Sequence, residues 1–283
     1  MTRQGPIGVF DSGIGGLSIL GQIRPQLPQE DIVFFADQAH VPYGARPLEE
    51  VRALSEGIAE FLLVQGVKLI VVACNTASAA ALHHLRGLHP ETPFVGMEPA
   101  VKPAVLATRT QRVGVLATPT TFQGELFASV VERFAAGIEV LEQTLPGLVE
   151  CIEAGDLTGP ETRRILEIGL KPLIARGVDT IVLACTHYPF VIPLIRELIG
   201  PQVQVIDPSP AIARQAARLL NERGLVNPGT IRGSVTYCTS GDPERLVAMA
   251  QRLIGEAGRG VHASWRNGRL ESELPPAHGT GQA

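Results

Sequence analysis

Two cysteine motifs stand out for the chemistry they can do: Ala73-Cys74-Asn75-Thr76 and Ala184-Cys185-Thr186-His187. Each cysteine closes an apolar run, 69–73 or 180–184, and each precedes polar residues that can open a helix. A helix start offers unpaired N–H groups and a positive potential, which favour a thiolate and hold anions. The flanks repeat too. Gly66-Val67, Ile70-Val71 and Ala73-Cys74 return at one constant offset as Gly177-Val178, Ile181-Val182 and Ala184-Cys185. Two thiols in equivalent places of two similar units reach one cleft from opposite sides if the units face each other. Acid/base groups on opposite faces of a tetrahedral carbon suit inversion: one removes a proton and the other returns a proton to the far face, with no cofactor. Asp11 is a proton-transfer partner for Cys74, and His187 with Glu153 serves Cys185.

Positioning these groups takes an α/β fold. Short β-branched runs at 7–10, 32–36, 69–73, 94–97, 113–117, 180–184, 203–206 and 234–237 read as strands. Several are apolar throughout, as strands buried on both faces of a parallel sheet are. Stretches 48–65, 123–135, 160–175 and 210–223 carry apolar residues near a 3.6 period and read as helices. Gly8-Val9-Phe10 before Ser12 matches Gly114-Val115-Leu116 before Thr118, and Met97-Glu98-Pro99 matches Ile206-Asp207-Pro208. The expectation is two pseudo-symmetric α/β domains with largely parallel sheets and a cleft between them. One domain takes 1–98 plus 209–265 and the other 99–208, with 266–283 a disordered tail. In open parallel sheets ligands bind beyond the carboxyl ends of the strands. Asp11-Ser12-Gly13, the stretch from Asp37 to Pro42-Tyr43-Gly44, and both cysteine motifs fall at such ends.

Composition narrows the function classes. The chain has 283 residues and a net charge of −4, which excludes the dense positive charge of a nucleic-acid binder. Its 45% hydrophobic content supplies a core and excludes disorder over the whole length. The longest apolar stretch, 69–82, is broken by Asn75, Thr76 and Ser78 and is too short to span a bilayer. No secretory pattern opens the chain and no CxxC appears, so a cytoplasmic protein with free thiols and no membrane or nucleic-acid partner is expected. Plainer readings compete at each motif. A cysteine after an apolar strand is often a small core residue, the reading given to Cys151 and Cys238. Cys185-x-His187 lacks a second ligand pair for a metal, so no metal is expected. Gly13-Ile14-Gly15-Gly16 has neither P-loop nor Rossmann spacing, and His83-His84 read as solvated. A non-catalytic amino-acid-binding protein and a Cys185–His187 nucleophilic hydrolase are the alternatives from other classes.

Several stretches together are similar to a known family. They are Phe10-Asp11-Ser12-Gly13-Ile14-Gly15-Gly16, Asp37 with Pro42-Tyr43-Gly44, Ala73-Cys74-Asn75-Thr76-Ala77-Ser78, Glu98-Pro99-Ala100, Leu116-Ala117-Thr118 and Cys185-Thr186-His187-Tyr188-Pro189. In this order, across 7–208, they resemble the cofactor-independent glutamate racemases of the aspartate/glutamate racemase superfamily. The resemblance implies interconversion of L- and D-glutamate, D-glutamate for peptidoglycan, no cofactor, and a homodimer. By the family pattern Cys74 deprotonates the D-enantiomer and Cys185 the L-enantiomer. Substrate contacts come from Asp11, Ser12, Pro42, Tyr43, Gly44, Asn75, Thr76, Thr186 and His187, with Thr118 and Thr121 further contacts. Glu153 matches the acid of the family's Ile-Glu-Ala-Gly stretch. Aspartate and hydantoin are the alternative substrates within the superfamily. The chain departs from the pattern at Leu145, where the family has Cys before Pro146, at Glu150, where a proline is expected, and at Gly124.

Overall fold

Alternation of apolar strands with helices folds the chain into two largely parallel sheets, seen in a computed structural model that describes residues 2–274. The chain begins with β1 (Ile7–Asp11), α1 (Leu17–Gln26), β2 (Ile32–Ala36), α2 (Leu48–Val64), β3 (Leu69–Val72), α3 (Asn75–Leu88) and β4 (Phe94–Gly96). It continues through α4 (Val101–Ala107), β5 (Arg112–Ala117), α5 (Pro119–Gln123), α6 (Glu125–Phe134) and β6 (Glu139–Gln143). Then come α7 (Leu148–Glu153), α8 (Pro160–Ala175), β7 (Thr180–Ala184), α9 (Ile192–Ile199) and β8 (Gln204–Ile206). The last elements are α10 (Ser209–Glu222), β9 (Val235–Thr239), α11 (Pro243–Ile254), β10 (Arg259–Arg266) and β11 (Arg269–Ser272).

A seven-stranded sheet, β11-β10-β9-β2-β1-β3-β4, draws on both ends of the chain, and a four-stranded sheet, β6-β5-β7-β8, on its middle. All pairings are parallel except β10 with β11. The repeat is visible as matched neighbours: β1 pairs β3 with Phe10 opposite Val72, and β5 pairs β7 with Leu116 opposite Leu183. Cys74 and Cys185 therefore leave equivalent strands of the two sheets.

Helices cover both faces of the first sheet, which is why β1, β2 and β3 are buried at every position. Successive strand residues point to opposite faces. Phe34 meets Tyr237 on one side, ring centroids 6.0 Å apart, and Phe35 meets Phe61 on the other at 5.4 Å. Each such buried side chain contributes on the order of 1.5–3 kcal/mol of transfer free energy. One apolar cluster runs from Ile14 and Leu17 in the first sheet's half into Leu148, Ile152 and Leu170 in the second's, so the halves share a core.

Four sequence readings shift. The strand expected at 94–97 ends at Gly96, and the helix expected over 123–135 is α6, Glu125–Phe134, with the short α5 breaking off just before it. The break falls at Gly124, where an added Cβ would stand 2.6 Å from the Ala79 Cβ. Strand β6 went unread because it is an edge strand with exposed Glu139 and Glu142. Residues 269–272, expected in the tail, form β11, which pairs antiparallel with β10 and sets Leu270 opposite Trp265. The rest of the expected tail, 275–283, lies outside the described residues.

Candidate active site

Cys74 follows β3 and is the N-cap of α3, where its Sγ accepts the Ala77 backbone N–H at 3.5 Å. The thiol lies 4.0 Å from the Ser12 Oγ, next in the chain to Asp11. Burial, and then the charge of Asp11, push the Cys74 thiol well above its ordinary value, so the protonated form is favoured. Asp11 ends β1 and is fully buried. Burial raises its carboxyl group above the usual range, against the opposing pull of His187. Its Oδ2 accepts the Gly16 N–H at 2.6 Å and the Thr186 hydroxyl at 3.2 Å.

The second cysteine departs from expectation. Cys185 follows β7 but does not open an α-helix: a tight 3-10 turn, Tyr188–Val191, comes first, and α9 starts only at Ile192. Pro189 and Pro193 lack the N–H groups that a helix begun at Cys185 would use. The Cys185 Sγ lies 3.9 Å from His187 Nδ1, and His187 Nε2 lies 2.7 Å from Glu153 Oε1. Burial alone would lower the His187 value, but its bonds to Cys185 and Glu153 prevail and hold it well above normal. Glu153, at the end of α7, falls below the carboxylate range: burial opposes this, and the His187 bond and the Ile14 N–H at 2.7 Å outweigh it.

Both thiols line one cavity of about 20 Å³ between the sheets. Ser12, Pro42, Tyr43, Gly44, Asn75, Thr76, Thr118, Thr186 and His187 line it as well. Of the residues singled out in the sequence, Asp11, Glu153 and Thr121 are outside this lining and contact residues that form it. Thr121 bonds Thr76 at 3.3 Å and Thr118 at 2.9 Å. The Tyr43 hydroxyl points away, 2.6 Å from Asp37, so the loop faces the cavity with its backbone and ring. Asn75 is buried, and both its side-chain Nδ2 and Oδ1 lack partners among the described residues. An unpaired buried amide is costly unless a ligand completes it. Among the described residues, no cluster of three His, Cys, Asp or Glu side chains is placed to hold a metal.

Sequence reasoning missed Val149, which walls the cavity from α7 as an ordinary apolar residue and carries no local signal. It also underread Gly15. An added Cβ there would stand 2.5 Å from His187 Nδ1 and 2.6 Å from Thr186 Oγ1, so the bare backbone is what lets the halves close. A thiol from each sheet lines one cavity, Cys74 beside a carboxylate and Cys185 beside a His–Glu pair, an arrangement that suits moving a proton across a bound carbon.

The Asp/Glu/hydantoin racemase family model matches residues 16–216. A glutamate racemase of Roseiflexus sp. is 50% identical over 249 residues, covering 88% of this chain and 92% of its own. The Francisella tularensis glutamate racemase, solved with D-glutamate, has a TM-score of 0.82 at 28% identity, covering 93% of this chain and 98% of its own. The Escherichia coli glutamate racemase, solved with L-glutamate and the activator UDP-MurNAc-ala, has a TM-score of 0.77 at 29% identity, with coverages of 90% and 98%. With that extent of likeness, and with two thiols lining one cavity, the chain belongs to the Asp/Glu/hydantoin racemase family.

Proposed function

We propose that this protein is a PLP-independent glutamate racemase that supplies D-glutamate for peptidoglycan. The observation that carries the reading is that Cys74 and Cys185, from equivalent strand ends of two sheets, line the same cavity. Relatives of this name at about half identity and relatives solved with each enantiomer of glutamate support the choice of substrate.

In the L-to-D direction the Cys185 thiolate takes the Cα proton, and the electron pair spreads into the substrate's α-carboxylate. The Cys74 S–H then delivers its proton to the opposite face of Cα. The product leaves Cys185 as the thiol and Cys74 as the thiolate, which is the state that begins the D-to-L reaction. The raised Cys74 value fits an acid that is loaded before L-glutamate arrives. Asp11 and His187 exchange protons with the two sulfurs and reset them. The developing charge at the carboxylate needs preorganised donors, which the unpaired Asn75 amide supplies, with the Thr76 hydroxyl beside it in the cavity lining. A homodimer in the cytoplasm completes the proposal, on the family resemblance alone. Among the described residues no helix is long and apolar enough to cross a membrane.

The test is polarimetry of purified protein with glutamate, aspartate and a hydantoin, without added cofactor, alongside Cys74→Ala and Cys185→Ala. Wild-type protein should invert glutamate, and each variant should lose racemisation entirely. In deuterated water the product should carry deuterium at Cα ahead of recovered substrate. Full turnover by either variant sinks the two-base reading, and preference for another substrate sinks the assignment to glutamate.

A further inference from the structure

Behind the cavity wall lies a fully buried carboxylate that the proposed chemistry does not use. Asp37 is buried, does not line the cavity, and follows β2. Four side chains converge on it. Tyr43 donates its hydroxyl to Oδ2 at 2.6 Å, and His40 Nδ1 stands 2.9 Å from the same oxygen. Ser240 donates to Oδ1 at 2.7 Å, and the Trp265 indole N–H donates to Oδ1 at 2.8 Å. Tyr43 and His40 belong to the loop that walls the cavity, Ser240 follows β9, and Trp265 lies in β10. The carboxylate therefore ties the loop to the far strands of the first sheet. From the other side, Thr120 donates to the carbonyl of Gly44 at 2.9 Å.

We propose that Asp37 is a positioning residue that sets the Tyr43–Gly44 backbone against the substrate by fixing the Tyr43 hydroxyl. A buried carboxylate persists only where its oxygens are fully bonded, and here every bond it accepts also fixes a neighbour. Asparagine at this place would accept on one oxygen and turn an N–H toward donors, releasing the loop. Loss of loop order weakens ground-state and transition-state contacts alike, which raises KM with little change in kcat.

This inference rests on the proposed glutamate racemisation. The experiment measures kcat and KM for both enantiomers in Asp37→Asn, Tyr43→Phe, their double variant and Ser240→Ala, together with the emission of Trp265, the only tryptophan in the chain. Asp37→Asn should raise KM about ten-fold, with kcat held within about three-fold. Tyr43→Phe should raise KM in the same manner, and the double variant should add little to the larger single effect, because both changes break one bond. Ser240→Ala removes one donor and leaves Asp37 and Tyr43 in place. It should raise KM about three-fold, and it carries the test if Asp37→Asn does not fold. The Trp265 emission should shift in Asp37→Asn, whatever the activity. An inactive wild type overturns the racemase reading while the emission still tests the hub. Unmoved KM in folded variants, a fall in kcat alone, or effects that multiply in the double variant overturn the role of Asp37.

Discussion

At the scale of residues, the two thiols have unlike partners: a carboxylate and a helix start for Cys74, a His–Glu pair for Cys185. The second arrangement has a pH signature. The His187 value lies well above its ordinary 6.5, so the group favours the folded state fully below that pH. Its contribution falls as pH rises from 6.5 through the raised folded value, because the native state there holds a proton the unfolded chain has lost. Glu153 acts in the opposite sense: its value is lowered, so its contribution is present above the ordinary carboxylate range and is lost on acidification through the folded value. Urea unfolding across pH should show wild-type stability declining above 6.5, with a slope of at most about 1.4 kcal/mol per pH unit from this one proton. His187→Asn should lose that alkaline decline, and Glu153→Gln should flatten the acid side. An unchanged alkaline slope in His187→Asn would contradict the assignment.

At the scale of elements, the site depends on helices pressed against strand ends. Helix α8, which follows the loop after Glu153, docks on β5 through Leu173, a side chain only 1% exposed. Gly114 makes the close approach possible, since an added Cβ would stand 2.9 Å from Leu173 Cδ1. Leu173→Ala should cost about 2–5 kcal/mol of unfolding free energy, read by denaturant titration, because the rigid sheet beneath cannot fill the cavity. Helix α11 contributes differently: Arg245 donates to the Glu153 carbonyl at 2.8 Å and Arg252 to the Gly155 carbonyl at 3.0 Å. The end of α7 is thereby held by an element packed on the other sheet.

At the scale of the whole molecule, the two halves are closed on each other. Thr76 bonds Thr118 at 3.0 Å, and Ser18 donates to the Thr186 carbonyl at 3.0 Å. The cavity that both thiols line, about 20 Å³, holds little more than one water. An amino acid needs more room than this, and one bound under the proposed function would touch both halves. Binding that selects the folded form stabilises it by roughly 2.7 kcal/mol at a hundred times Kd. Calorimetry should therefore show a higher Tm with glutamate than without, rising with concentration, and a flat Tm at saturating glutamate would count against binding in this cleft.

The sequence by itself determined the α/β class, most central strands, the repeat that pairs Cys74 with Cys185, and the stretches that line the cavity. These are local quantities: strand-long apolar runs, turn residues, and a motif that recurs at a fixed offset. Tertiary structure alone decided the rest. It gave Glu153 the Ile14 N–H as well as His187, placed Asp37 under Tyr43 with donors from 200 residues and more away, and put a 3-10 turn after Cys185 where a helix start was expected. It also recovered edge strands β6 and β11, whose exposed faces carry charged residues and leave no apolar run to read. Contacts between residues far apart in the chain leave no periodic trace, since any polar residue at either position reads as surface until folding buries it.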